Sequence, residues 1–345
     1  MRRSWFNRVS LFALVLTFIV VVLGAFTRLS DAGLGCPDWP GCYGFLTAPQ
    51  APEQIQQAEE AFPGWTVETD KAWIEMIHRY AAGTLGLLIL FLAIVAVRYR
   101  RDPGQPVVVP LLLLALVIFQ SLLGMWTVTM LLKPAIVLAH LAGGMTILGL
   151  LGWLVLRYGN YLAPVHQPGG VGLKLFTGVG LIILVAQILL GGWTSTNYAA
   201  LACPDFPTCQ GEWWPEADYA EGFVLWRELG MNYEGGVLDG PARVAIHMTH
   251  RVGAVVTAVW LGLLALWLLL RYGRVPEVRT AGALLAMALT AQVLIGIFTV
   301  LWHLPLWLAT LHNAGAALLL LAVLLANHVV HAGHPDKTAP GAGKG

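Results

Sequence analysis

Glu75-Met-Ile-His78-Arg79 and, 172 positions later, His247-Met-Thr-His250-Arg251 place ionisable side chains inside stretches that are otherwise apolar. A second set of motifs lies downstream. Gln120-Ser-Leu-Leu-Gly124 followed by Leu-Ala-His140 is echoed by Gln292-Val-Leu-Ile-Gly296 followed by Leu-His312. Four histidines thus form two pairs, His78 with His140 and His250 with His312, each pair 62 positions apart. A lone histidine in a membrane helix most simply serves as an interhelical hydrogen-bond partner. Four in duplicated positions point to a paired function, because ionisable groups inside a bilayer are costly to keep. Neutral imidazole is the commonest metal ligand, so ligation is the chemistry to weigh first.

A mononuclear zinc site wants a third and fourth N, S or O ligand, with one position left open for catalysis. Two histidines per half in apolar surroundings suit bis-imidazole haem iron better, since the porphyrin supplies four nitrogens itself. Small residues follow each histidine (Ala81, Ala82 and Gly83; Gly143 and Gly144; Gly253 and Ala254; Ala314 and Gly315), as a flat apolar ligand would require. Such residues are also usual at membrane helix contacts. Arg79 and Arg251 have two open roles, as partners of haem propionates or as snorkelling side chains that reach the headgroups. Glu75 breaks the repeat. It lies three residues before His78, on the same helix face, and its counterpart is His247, to which the sequence assigns no role. Two similar sites that differ by one carboxylate suggest divided labour: chemistry in the half with Glu75, a fixed redox cofactor in the other.

The elements that must position these residues follow from composition. The chain has 345 residues, 57% of them hydrophobic and 11% charged, with mean hydropathy +0.70. Its main solvent is therefore lipid. A net charge of +1 gives no reason to expect a nucleic-acid partner. Eight apolar segments of about 20 residues, long enough to span a bilayer, are expected near 9–26, 73–97, 107–130, 135–156, 173–194, 244–270, 280–301 and 306–330. The fold class is thus an all-α integral membrane protein, with two tandem pseudo-symmetric four-helix bundles over 9–157 and 173–330. The first segment, behind the basic head Met1–Arg8, could be a secretory signal cut near Ala25. Its counterpart lies mid-chain, which favours an uncleaved helix. The tail 331–345, rich in Gly, Pro, Lys and Ala, is expected to be a disordered cytoplasmic extension.

With the N-terminus inside, thirteen of the twenty Lys and Arg residues fall on inner segments and sixteen of the nineteen acids on outer ones. The positive-inside rule then places both termini in the cytoplasm and two long loops, about 28–72 and 195–243, outside. On this orientation each matched histidine lies five to seven residues inside the outer end of an even-numbered span, roughly 10 Å deep. The loops repeat as well, at an offset of 167: Cys36-Pro-Asp-Trp-Pro-Gly-Cys42 and Cys203-Pro-Asp-Phe-Pro-Thr-Cys209. Cysteines framed by Pro, Asp and Gly in loops facing an oxidising compartment favour Cys36–Cys42 and Cys203–Cys209 disulfides over buried thiols. Redox exchange at these cysteines stays open.

Taken together, Thr27-Arg28 before the first cysteine motif, Glu75-x-x-His78-Arg79, His140, His250-Arg251 and His312-Asn313 resemble the haem A synthase family over about residues 9 to 330. The resemblance implies an eight-helix protein of the bacterial inner membrane, with the cysteine loops periplasmic. Its members oxidise the methyl group at ring position 8 of haem O to a formyl group, giving haem A for terminal oxidases. It implies that His78 and His140, with Glu75, receive haem O, and that His250 and His312 keep a b-type haem. It also implies supportive rather than catalytic disulfides, a haem O-producing prenyltransferase as supplier, and an electron acceptor. The sequence fixes neither that acceptor nor the oligomeric state, and an oligomer is compatible with it. Two other classes compete. A di-haem b-type electron carrier would share the paired histidines but exchange no haem. A transporter would place its polar residues near the midplane, beside broken helices.

Overall fold

The computed structural model describes residues 2–159 and 170–331; the segment 332–345 expected as a tail lies outside them. Ten helices form among the described residues: α1 Arg2–Leu29, α2 Pro52–Ala61, α3 Thr69–Arg98, α4 Val108–Thr129, α5 Pro134–Tyr158, α6 Val171–Thr196, α7 Tyr219–Gly222, α8 Gly240–Tyr272, α9 Pro276–Leu301 and α10 Leu306–His331. All but α2 and α7 are long and apolar enough to cross a membrane, so the all-α membrane architecture with eight spans stands. The short α2 and α7 lie in the two long loops, between α1 and α3 and between α6 and α8.

The spans α3 and α8 begin earlier than hydropathy indicates. Their first turns are polar (Thr69-Asp70-Lys71) or capped, with Asp239 accepting a hydrogen bond from the Ala242 main-chain N–H at 3.0 Å ahead of Pro241. A polar first turn carries no apolar signal, so only the capping residue marks it. His78 and His250 consequently sit about 14 Å from their helix starts, and His140 and His312 about 9 Å, at 1.5 Å per residue. The expected equal spacing from helix ends is corrected to this extent. The turns joining α4 to α5 and α9 to α10 are made alike, with Leu131, Leu132, His303 and Leu304 all in the left-handed region. Their N–H groups satisfy the last carbonyls of the preceding helix, Leu132 to Thr127 and Leu304 to Thr299, both at 2.8 Å.

Packing partners recur along the chain. Helix α1 packs on α3 and α5, and α4 on α3 and α5; in the second part α6 packs on α8 and α10, and α9 on α8 and α10. The two sets meet through α1 with α10, α5 with α6, and α5 with α10. Positions related by the offset of 167 touch each other. An Arg28 Nη2 donates to the Ser195 carbonyl at 2.9 Å, and the Tyr198 hydroxyl donates to Asp31 at 3.2 Å. The largest buried apolar cluster lies around α8, α9 and α10, including Leu261, Leu264, Leu268, Leu285 and Val323. A second holds α1, α3, α4 and α5 together through Ile89, Leu92, Leu113 and Leu151.

Candidate functional site

Each of the four histidines projects against a glycine on the span that precedes its own helix in the membrane. A methyl group on Gly24, Gly124, Gly191 or Gly296 would stand 2.9, 3.3, 3.1 or 2.8 Å from the Cε1 of His78, His140, His250 or His312 respectively. Four glycine notches therefore seat four imidazoles with the same atom inward. The rings of His78 and His140 have centres 6.4 Å apart and planes at 76°. A metal–nitrogen bond of about 2.0 Å plus roughly 1.1 Å from nitrogen to ring centre, counted on both sides, would set two imidazoles sharing a metal about 6.2 Å apart. The pair is spaced to share one metal between facing rings. His250 and His312 are seated against Gly191 and Gly296 in the same way as the first pair against Gly24 and Gly124. Among the described residues, no three His, Cys, Asp or Glu side chains converge on a bare ion. Each pair offers two donors, which is what a macrocycle with its own four nitrogens needs.

No atom meets hydrogen-bond geometry at the buried Nδ1 atoms of half-buried His78, His140 and His312. Main-chain groups of Val20 and Gln120, one turn before the notch glycines, lie near the rings of His78 and His140. A carbonyl there is the usual acceptor for the second N–H of a ligating imidazole.

Glu75, one turn before His78, is 5% exposed. One oxygen accepts the Cys36 main-chain N–H at 2.9 Å and the other accepts from Arg79 at 2.5 Å. Arg79 in turn donates to the carbonyls of Asp38 (2.9 Å) and Gly41. The second half repeats this with different chemistry. His247 faces the Cys203 N–H at 3.4 Å and the Arg251 Nε at 3.2 Å, and Arg251 donates to the carbonyls of Cys203, Asp205 and Thr208 at 2.7–2.9 Å. Both arginines thus clamp the cysteine loops. This is a duty the spacing did not reveal, and it directs neither guanidinium simply to the headgroups. A role for His247 emerges with it, as the loop anchor standing where Glu75 stands. Neutral imidazole accepts at only one nitrogen, so His247 holds its loop less tightly than the carboxylate holds the first.

Both disulfides form, Cys36–Cys42 and Cys203–Cys209, and no free cysteine remains among the described residues. The aspartate in each motif closes the turn. Asp38 accepts from the N–H groups of Tyr43 and Gly44 at 2.6 and 2.8 Å, Asp205 from those of Gln210 and Gly211 at 2.6 and 3.0 Å. The Thr208 hydroxyl and these N–H groups hold the Asp205 carboxyl down at about 2. Burial, together with surrounding carboxylates, pushes the Tyr43 phenol up to about 12. Each crosslink spans a short loop, worth about 2 kcal/mol on a chain-entropy reckoning. The variant C36S/C42S is therefore expected to raise proteolytic cleavage and amide exchange in 36–47 without altering the second half. Unchanged exchange would show that Glu75 and Arg79 fix the loop unaided. A polar cleft of about 360 Å³ also opens between the long loops, lined by Asp31, Glu68, Lys71 and Glu234 among others, and none of the four histidines borders it.

Eight candidate spans with two pairs of glycine-seated histidines and two disulfide-closed loops define a multi-pass membrane protein with a duplicated histidine arrangement. The profile of the COX15-CtaA family, described as cytochrome oxidase assembly protein, matches residues 7–324, and the chain belongs to that family. It is 44% identical to the haem A synthase of Shewanella oneidensis over 328 residues, 95% of this chain and 96% of that protein. It is 32% identical to the haem A synthase of Paracoccus denitrificans, covering 94% of this chain and 87% of that one. With the haem A synthase of Halalkalibacterium halodurans it shares 27% identity over 85% of this chain and 86% of that protein.

Proposed function

We propose that this chain is a haem A synthase, an oxidoreductase that converts the C8 methyl of haem O into a formyl group for terminal oxidase assembly. Its family membership supports the reading, and the single observation that carries it is the 6.4 Å separation of the His78 and His140 rings. In this reading the half 9–157 binds haem O through His78 and His140, and the half 173–330 keeps a b-type haem through His250 and His312. That haem supplies a one-electron redox station when bound. The protein sits in the bacterial inner membrane with both termini cytoplasmic and the cysteine loops periplasmic. A prenyltransferase delivers haem O, and an electron acceptor outside the chain removes the electrons.

Turning a methyl into a formyl adds the oxygen of water and releases protons and electrons, so positive character develops at the ring-bound carbon. A carboxylate nearby stabilises that charge or orients the attacking water, and it acts strongly in a poorly solvated site. Glu75 is placed for this, one turn from His78. An ionised carboxylate offers about four acceptor positions, and two contacts to the protein leave room for water. The second half strengthens the assignment. His247 anchors its loop without a negative charge, so loop anchoring alone does not demand a carboxylate at position 75. Any propionate contact from Arg79 or Arg251 uses the N–H groups that the loops leave free.

Pigment extracted from the purified protein tests the reading. Haem O or haem A beside haem B is expected, while haem B alone would favour the di-haem carrier and a colourless protein a transporter. The notches give a second test. Helix propensity alone favours alanine over glycine by about 1 kcal/mol, yet G296A places a methyl 2.8 Å from the His312 ring. It is expected to lower haem B content several-fold, read as the pyridine haemochrome per protein. Full haem content in that variant would remove the notch from the account.

A further inference from the structure

We propose that a glutamine–glycine bracket locks His140, His250 and His312 in place, and that its absence at His78, where Val20 and Ala81 stand, makes His78 the ligand that detaches when haem enters or leaves the first site. The inference rests on the two-site reading above and adds to it which ligand moves.

Four residues before each of three notch glycines stands a glutamine: Gln120 before Gly124, Gln187 before Gly191, Gln292 before Gly296. Each glutamine reaches across to the facing helix and donates from Nε2 to the main-chain carbonyl of the histidine itself, at 2.5 Å for His140 and 3.0 Å for both His250 and His312. Gln187 Nε2 also lies 3.0 Å from His250 Nδ1. The residue three positions after each of these histidines is glycine. A Cβ on Gly143, Gly253 or Gly315 would collide with the Oε1 of Gln120, Gln187 or Gln292. The amide and the missing methyl thus form one device, which pins the ligand-bearing helix at the ligand's own residue.

At the fourth histidine both parts change together. Val20 stands four residues before Gly24 and has no donor to offer, and Ala81 stands three residues after His78. The Ala81 methyl belongs where a glutamine amide would otherwise lie. His78 keeps its glycine notch but loses the tie across to α1. Three histidines are therefore held by their ring seat and by their backbone, the fourth by its ring seat alone. The exception falls in the half where the macrocycle must arrive as one compound and depart as another. There His140 stays fixed while His78 can let go.

Carbon monoxide binds ferrous haem only where an axial ligand leaves, so it reports ligand release without turnover. The full-length protein in detergent, loaded with haemin and reduced, is mixed with carbon monoxide, and the haem at the first site is identified by its loss in His140→Ala. In the unaltered protein the first-site haem is expected to react and the second-site haem to resist. V20Q/A81G, which installs the bracket, should slow carbon monoxide association at the first site by roughly fivefold or more, the worth of one net hydrogen bond. Q187V/G253A, which removes it, should open the second-site haem to carbon monoxide. An unchanged rate in haem-loaded V20Q/A81G would overturn the proposal. If that variant does not fold, an inert second site in Q187V/G253A overturns it equally. A spectrum indifferent to both His78→Ala and His140→Ala would instead refute the two-site reading, and the inference with it.

Discussion

Replacing His312 by alanine is expected to remove the low-spin haem signal of the second site, with haem B content falling at least about tenfold. Losing a mere outer-shell partner of a metal ligand already costs ten- to a hundredfold in affinity, and here the ligand itself goes. The same loss is expected for His250→Ala, because on the proposed reading His250 of α8 and His312 of α10 would together hold the iron. Haem A formation should stop in both variants, since electrons drawn from the first site then have no station in the second. His78→Ala and His140→Ala should behave differently. They should leave the second-site signal intact and abolish conversion, His140→Ala with loss of the first-site haem. A reduced-minus-oxidised spectrum with pigment extraction distinguishes the four variants. A full low-spin signal in His312→Ala would mean that the second pair does not share an iron, and the division into substrate and cofactor halves would fall.

Much of this site was legible in the sequence because it is written twice. The offset of 172 aligned His78 with His250 and His140 with His312, and the offset of 167 aligned the cysteine loops. Spans also announce themselves, since a lipid-facing helix must be apolar along its whole length. The features that stayed hidden are those in which a side chain acts on another segment's backbone. Arg79 and Arg251 looked like residues aimed at propionates or headgroups. In the fold their donors go to loop carbonyls such as those of Asp38 and Asp205, which carry no sequence signature. His247 had no role to read until its anchoring of Cys203 was seen. The repeated Gln120 and Gln292 were visible as an echo, but their targets are main-chain carbonyls on another helix. Only the structure reveals that Gly143 and Gly315 are glycine to admit them. Once known, the rule is readable: Gln-x-x-x-Gly on one span with His-x-x-Gly on its neighbour, broken only at Val20 and Ala81.

Glu75→Gln is expected to keep both haem sites filled while slowing conversion of haem O by about a hundredfold or more, the usual cost of deleting one preorganised electrostatic partner of a transition state. Glutamine has nearly the same shape and keeps an oxygen for the Cys36 N–H, so the first loop stays seated and only the charge is lost. Arg79 would then lose its charged partner yet keep the carbonyls of Asp38 and Gly41. A purely structural role for Glu75 makes the opposite forecast, a loosened loop and reduced haem content with little direct effect on the reaction. A second substitution separates the two more sharply. Glu75→His copies the arrangement at His247, which anchors its own loop and arginine without a carboxylate. That variant should fold and bind haem in both sites, and still convert haem O no better than Glu75→Gln. Glu75→Asp should recover part of the rate, because the charge returns one methylene short of its place. Haem content, amide exchange across 36–47 and the ratio of haem A to haem O in the extracted pigment supply the three readouts. Normal haem A yield from Glu75→His would show that position 75 serves the loop alone, and the charge that assists oxidation would have to come from elsewhere.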